Sequence, residues 1–188
     1  MPHYRFPKPY ADAVARLRVP SGFVLLIAFA WLSRPSEESM LRGVPLSLAG
    51  LALRAWAAGH LEKNQRLVDS GPYAHTRNPL YLGTLLTAMG LAVAAQSWWV
   101  GGVFAAVFLL VYLPVMELEE QHLRQLFPAY NSYADRVPLL LPRFPGAGSS
   151  RPFSKALYLR NEEYQALVGF LLGVAYLWWR SHNAIGLG

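Results

Sequence analysis

Between Leu80 and Met116 the chain carries no charged residue. At about 1.5 Å per residue this run would make a helix about 56 Å long, against roughly 30 Å of bilayer hydrocarbon, so it must fold as two spans. Gln96 and Ser97, with Trp98 and Trp99 beside them, are the natural turn, because indoles favour the membrane interface. The spacing therefore predicts spans over 80–95 and 98–116. Further apolar segments lie at 19–33, at 43–61 (interrupted by Arg54 and His60) and at 164–179, the last ending in Trp178, Trp179 and Arg180. A polytopic all-α bundle of about five transmembrane helices is expected. The chain is 54% hydrophobic and only 15% charged, where a soluble domain carries about a quarter charged residues. Ala28, Phe29 and Ala30 have the small-x-small form of a cleavage site, but a long charged region precedes them and Trp31 follows, so a retained helix is expected.

The net charge of +6 is explained by topology. With a cytoplasmic N-terminus, thirteen Lys and Arg fall in inner segments and three (Arg34, Arg42 and Arg180) in outer ones, as the positive-inside rule expects. No basic stretch is interleaved with a nucleic-acid-binding motif, so nucleic acid is not an expected partner; the bilayer is. The absence of cysteine excludes disulfides, thiolate metal sites and a cysteine nucleophile. Five scattered histidines and a single Glu-x-x-His unit, Glu119 to His122, do not make a di-iron site, and no metal is expected.

Two cytoplasmic segments carry more pattern than a linker needs. In 117–142, Leu123, Leu126, Phe127, Tyr130, Tyr133 and Val137 recur at helical spacing and predict an amphipathic helix on the C-terminal side of the fourth span. Pro128 interrupts it, predicting a helix that ends near Phe127 and another with Pro128 in its first turn. The organisation expected is a membrane core over 1–142, a Pro/Gly-rich linker over 143–160 and an additional helix within 161–188. In that helix Gly169 and Gly173 form a small-xxx-small pair suited to close packing or homodimerisation.

The other patterned segment is 62–79. Its end, Ser70-Gly-Pro-Tyr-Ala-His75-Thr-Arg77-Asn78-Pro79, sets a donor-rich turn where the third span begins, and such a turn can hold a polar ligand or simply meet headgroups. Glu117, Glu119 and Glu120, at the expected end of the fourth span, repel one another and call for compensation by Arg77, His75, Arg124 or a cationic ligand. Arg54 inside a span is costly unless it faces a cavity or a partner.

Taken together, Leu53-Arg54-Ala55-Trp56-Ala57, Leu67-Val68-x-x-Gly71-Pro72-Tyr73, Arg77-Asn78-Pro79-x-Tyr81-x-Gly83, Glu119-Glu120-x-x-Leu123-x-x-x-Phe127 and Tyr130-x-x-Tyr133-x-x-x-Val137-Pro138 resemble the isoprenylcysteine carboxyl methyltransferase and phospholipid methyltransferase superfamily of integral membrane enzymes. The resemblance covers about residues 45 to 142. It implies S-adenosylmethionine as cofactor, bound by Tyr73, His75, Arg77, Asn78, Pro79, Tyr81, Gly83, Glu119 and Glu120, with Glu120, Arg77 and His75 as the catalytic set. Arg54, Tyr130, Tyr133 and Arg136 are the expected contacts of a lipid or other amphiphilic acceptor. The chain departs from the pattern at Asn78, at Pro128 and at Val115, where carboxyl methyltransferases commonly carry an arginine for the substrate carboxylate. Two alternatives stand beside this reading: a nicotinamide-dependent membrane reductase of similar architecture and a non-catalytic lipid-binding protein.

Overall fold

A computed structural model describes residues 6–144 and 151–183, so part of the expected linker, 145–150, lies outside the described residues. Seven helices are found among them: α1 (Lys8–Leu32), α2 (Glu37–Ala58), α3 (Pro79–Ala94), α4 (Trp98–Leu126), α5 (Tyr130–Arg136), α6 (Lys155–Arg160) and α7 (Tyr164–Asn183). A 3-10 turn at Gly71–Ala74 precedes α3, and no strand occurs among the described residues. The five long helices fall on the five expected segments. Of these, α4 alone is long and apolar enough in one piece to cross a membrane; α1 qualifies only if its two halves, bent by 54°, count as one span, and α3 is a shorter apolar helix. Pro20, two residues past that break, removes the backbone donor that would reach back across it and accounts for the bend.

α2 begins earlier than the apolar pattern suggested, because Ser36 and Ser39 form a reciprocal capping box and Glu37 and Glu38 occupy the positive first turn. α2 and α3 form the closest helix pair. A Cβ built on Gly43 would come within 2.3 Å of the Gly90 carbonyl oxygen, and one on Gly50 within 2.6 Å of the Gly83 carbonyl oxygen. Two glycines seven residues apart on each helix thus let the backbones touch, and Ser47 Oγ donates to the Thr87 carbonyl at 2.9 Å across the seam. The carbonyls at the end of α3 are answered from the α1–α2 loop and the first turn of α2: Arg34 N–H donates to Ala95 O at 2.7 Å, and Ser39 Oγ to Ala94 O at 2.8 Å.

The turn between α3 and α4 falls at Gln96 and Ser97 as expected, with Gln96 at φ 50° and Trp98 97% exposed. α4 passes through a π-helical turn at Phe108–Tyr112. Pro114 has no N–H to give the Leu110 carbonyl one turn back, and Tyr10 Oη donates to that oxygen at 2.6 Å instead. The expected break at Met116 does not occur. α4 runs on to Leu126, so Glu117, Glu119 and Glu120 sit inside a helix rather than at its negative C-terminal end, and the dipole penalty inferred from the sequence falls away. The chain then turns at Phe127 as expected, but Pro128 lies in the turn and α5 starts two residues later.

The segment leading to α7 docks on the end of α2. Ser154 N–H donates to Gly59 O at 2.9 Å, and Asn161 Nδ2 to Ala58 O and Leu61 O at 2.9 Å each. At its far end α7 holds α1, where Arg180 Nη1 donates to Ala30 O at 2.7 Å and Nη2 to Trp31 O at 3.2 Å, covering terminal carbonyls. The additional helix is packed into the bundle.

Candidate active site

The 3-10 turn at Gly71–Ala74 packs on the end of α2, where Tyr73 joins Ala57 and the His75 ring lies 6.4 Å from that of Trp56. Gly71 has φ +57°, and a Cβ there would meet the His60 ring at 2.6 Å, so this tight turn requires glycine. His60 itself is buried, its Nδ1 2.9 Å from Trp56 O and its Nε2 3.1 Å from Arg151 O. Pro79, buried in the first turn of α3, starts the helix from the fixed backbone angle that suits that position.

Arg77 and Glu120, 43 positions apart in sequence, form an ion pair with Nε 3.2 Å from Oε1 and both side chains 13% exposed. Tyr130 Oη donates to the same Glu120 oxygen at 3.0 Å, and Tyr133 Oη donates to the Tyr73 carbonyl at 2.8 Å. α5 thereby locks the turn to α4. A strap, 137–144, closes the other side: Arg77 N–H donates to Pro138 O at 2.9 Å, Asn78 Nδ2 to Leu139 O at 3.1 Å, and Arg143 N–H to His75 O at 3.0 Å. His75 Nδ1 lies 3.1 Å from Arg143 O, which favours the proton on Nδ1 and leaves Nε2 as acceptor; its ring lies 4.6 Å from that of Phe144.

The expected site residues thus divide. Tyr73, Arg77, Glu120, Tyr130 and Tyr133 form one connected group. Tyr81 is buried beside it, with its ring 6.0 Å from that of Tyr112, and Glu119 is exposed on the next position of α4. Gly83 is occupied by helix packing, against Gly50 and the Arg54 side chain. Glu117 turns away and accepts from the Phe6 N–H at 3.2 Å, at the start of α1. Arg136 is exposed at the end of α5, and Val115 is buried. Arg54 is committed to a partner that the sequence reading did not name: its Nε donates to Glu163 Oε1 at 2.6 Å, and its Nη1 to Thr84 Oγ1 and to Leu80 O. A lone cation in an apolar helix and an acid just before another apolar helix were the available signal.

Among the described residues the buried hydroxyls of Tyr73, which is 7% exposed, and of Ser70 have no hydrogen-bonding partner. Burial raises the Tyr73 phenol far above its usual range, and the charges of Glu163 and Glu119 add to that. Burial likewise raises Tyr130, with Glu120 adding, and Tyr133, where Arg77 opposes. All three are neutral donors at physiological pH.

An apolar cavity of about 1400 Å³ is bounded by α1, α2, α3, α4 and α7. Among its lining residues Phe108 and Tyr112 pack against Tyr81, and Arg54 and Thr84 supply polar groups.

An apolar, all-helical chain with an ion-paired turn and an apolar chamber between its helices fits a membrane protein, and the comparisons agree with that class. Residues 45–130 match the family described as phospholipid methyltransferase. The chain is 40% identical over 115 residues to the cobalt-zinc-cadmium resistance protein CzcN of Cupriavidus metallidurans, covering 60% of this chain and 52% of the relative. It is 31% identical over 115 residues to the nickel-cobalt-cadmium resistance protein NccN of Alcaligenes xylosoxydans xylosoxydans, covering 60% and 53%. It is 26% identical over 143 residues to the protein-S-isoprenylcysteine O-methyltransferase of Schizosaccharomyces pombe, covering 73% and 61%. The chain spans about half the length of the first two relatives. No solved structure matches it. The family match and the fission-yeast relative support the superfamily that the motifs point to, one of membrane methyltransferases.

Proposed function

We propose that the protein is an integral membrane methyltransferase that moves a methyl group from S-adenosylmethionine to an amphiphilic acceptor reaching the site from the inner leaflet. The observation that carries this reading is the pair of buried, unpartnered hydroxyls of Ser70 and Tyr73, in the turn that the Arg77–Glu120 ion pair fastens to α4. Leaving a buried hydroxyl unanswered costs about 1–3 kcal/mol, so such groups fit a polar ligand with hydroxyl, amino and carboxylate functions. The sulfonium and amino charges of this cofactor suit the Glu119 carboxylate and the ring faces of Tyr73 and Tyr81.

When bound, the cofactor supplies an electrophilic methyl on sulfur. The chain's own contribution is orientation and exclusion of water, worth up to about 7–11 kcal/mol where geometry is well held. Glu120, held by Arg77 and Tyr130, anchors the turn rather than moving a proton. His75, with Nδ1 facing the Arg143 carbonyl, keeps an Nε2 lone pair that can take the proton of an amine or thiol acceptor. A carboxylate acceptor would need no base, but the cations lining the apolar cavity are already paired, Arg54 with Glu163 and Arg42 with Glu38. Five spans with a cytoplasmic N-terminus would set this site at the inner face, in line with the charge asymmetry.

Transfer of radiolabelled methyl from S-adenosylmethionine into extracted membrane lipids, with identification of the labelled species, tests this function. Label in a lipid fraction is the expected result. Cofactor binding with no acceptor labelled in any extract would instead leave the non-catalytic lipid-binding reading.

A further inference from the structure

The bundle contains two kinds of glycine. On α2 and α3, a Cβ at Gly43, Gly50, Gly83 or Gly90 would fall within 2.7 Å of a neighbouring atom, so these glycines exist for contact. On α7 a Cβ at Gly169 would meet nothing within 4 Å, and one at Gly173 only Phe29 Cε1 at 3.8 Å, yet both residues line the apolar cavity. These glycines leave space. α7 is also fixed at both ends by polar ties, Glu163 to Arg54 and Arg180 to the last carbonyls of α1, so its middle bounds the cavity without needing to pack tightly.

We infer that α7, which lies outside the segment matching the family, selects the acceptor by chain length: Glu163 fixes Arg54 at the polar end of the cavity, and Gly169 and Gly173 leave room for the acceptor's hydrocarbon chain. The inference rests on the proposed function insofar as it takes the occupant to be the acceptor. The occupant is assigned from continuity, because the cavity runs from the bare face of α7 to Phe108 and Tyr112, which pack against Tyr81 in the first turn of α3, directly after the turn proposed to hold the cofactor. Its walls are overwhelmingly apolar, and its polar groups gather around Arg54 and Thr84 at one side and Glu38 and Arg42 at another. A molecule whose polar head meets the Arg54 and Thr84 group, the one on the side of the fixed Arg54–Glu163 pair, and whose apolar chain follows the remaining walls fits this lining. Gly169 lines the cavity and an added Cβ there meets nothing within 4 Å, so a larger side chain at 169 is the substitution expected to shorten the space.

The test uses the full chain in detergent and a series of dansylamides carrying alkyl chains of increasing length, from about eight to about sixteen carbons, read by dansyl fluorescence. Binding by the unmodified protein should strengthen steadily with chain length. Gly169→Phe and Gly173→Phe should lose at least about tenfold in affinity for the longest probe and little for the shortest, while Gly169→Ala should follow the unmodified protein. Calorimetry with S-adenosylmethionine on the same samples reports whether the fold and cofactor turn persist. An unchanged length profile in both phenylalanine variants overturns the inference. So does a change confined to oligomeric state in sedimentation, which would make this face a helix-dimer surface. If the length effect appears but no protein binds S-adenosylmethionine, the cavity assignment stands and the methyltransferase reading fails.

Discussion

Arg77 Nε stands 3.2 Å from Glu120 Oε1, joining the turn before α3 to the later part of α4, with Tyr130 Oη on the same carboxylate oxygen. Removing one partner leaves a largely buried charge facing none. Arg77→Gln should therefore lower stability by about 1–3 kcal/mol, and the double variant Arg77→Gln, Glu120→Gln should recover part of that loss. Thermal melting of the four proteins in one detergent measures the coupling; purely additive losses would mean that the pair contributes no interaction.

Tyr133 and Tyr73 should respond in opposite ways. Tyr133→Phe removes the 2.8 Å hydrogen bond to the Tyr73 carbonyl and should cost about 1 kcal/mol of stability. Tyr73→Phe removes a buried hydroxyl that has no partner among the described residues, so stability should hold or rise, while affinity for S-adenosylmethionine falls about tenfold. Melting and calorimetry on the two variants separate these effects, and a marked loss of stability in Tyr73→Phe would count against an unanswered hydroxyl.

The raised phenols of Tyr73, Tyr130 and Tyr133 set a direction for pH dependence. Below an ordinary tyrosine pKa of about 10 these groups are neutral in both folded and unfolded chains, so they add no slope between neutral pH and that point. Above about pH 10 the unfolded chain releases protons that the folded one retains, and stability should fall as pH rises. Phenolate absorbance during alkaline titration should show these tyrosines ionising only with unfolding, and Tyr73→Phe should flatten the decline.

The α2–α3 seam should tolerate no added carbon. A Cβ on Gly90 would come within 2.3 Å of Ser47 Oγ and 2.5 Å of the Gly43 carbonyl oxygen, so Gly90→Ala should cost about 1–3 kcal/mol. Gly102→Ala, where a Cβ meets nothing within 4 Å, should melt like the unmodified protein. Equal melting of the two would mean that the helices are not in backbone contact.

Helix positions were legible because apolar runs and punctuation are local: Gln96 and Ser97 mark one turn and Phe127 with Pro128 another. Helix partners were not. The small-xxx-small pair at 169 and 173 is evident in the sequence yet makes no tight contact, whereas the pairing of 43 and 50 with 90 and 83 depends on the register between two helices, which no single segment encodes. The acids at 117–120 were read as a helix end because charge begins there, but the helix continues on its amphipathic face to Leu126. The turn at 70–79 and the Glu119–Glu120 pair stand out in the sequence as candidates for chemistry, and the structure brings Arg77 of the first to Glu120 of the second. Commitment of Arg54 to Glu163, from 109 positions away, was not.

The central claim is that the turn at 70–79 and the acid pair of α4 bind S-adenosylmethionine. Calorimetry of the full chain in detergent with S-adenosylmethionine, its demethylated product and NADPH tests it most directly. The account predicts that the first two bind and NADPH does not, and that Glu119→Gln and Glu120→Gln weaken that binding. Folded protein that binds neither S-adenosylmethionine nor its product, or that binds NADPH instead, would contradict it.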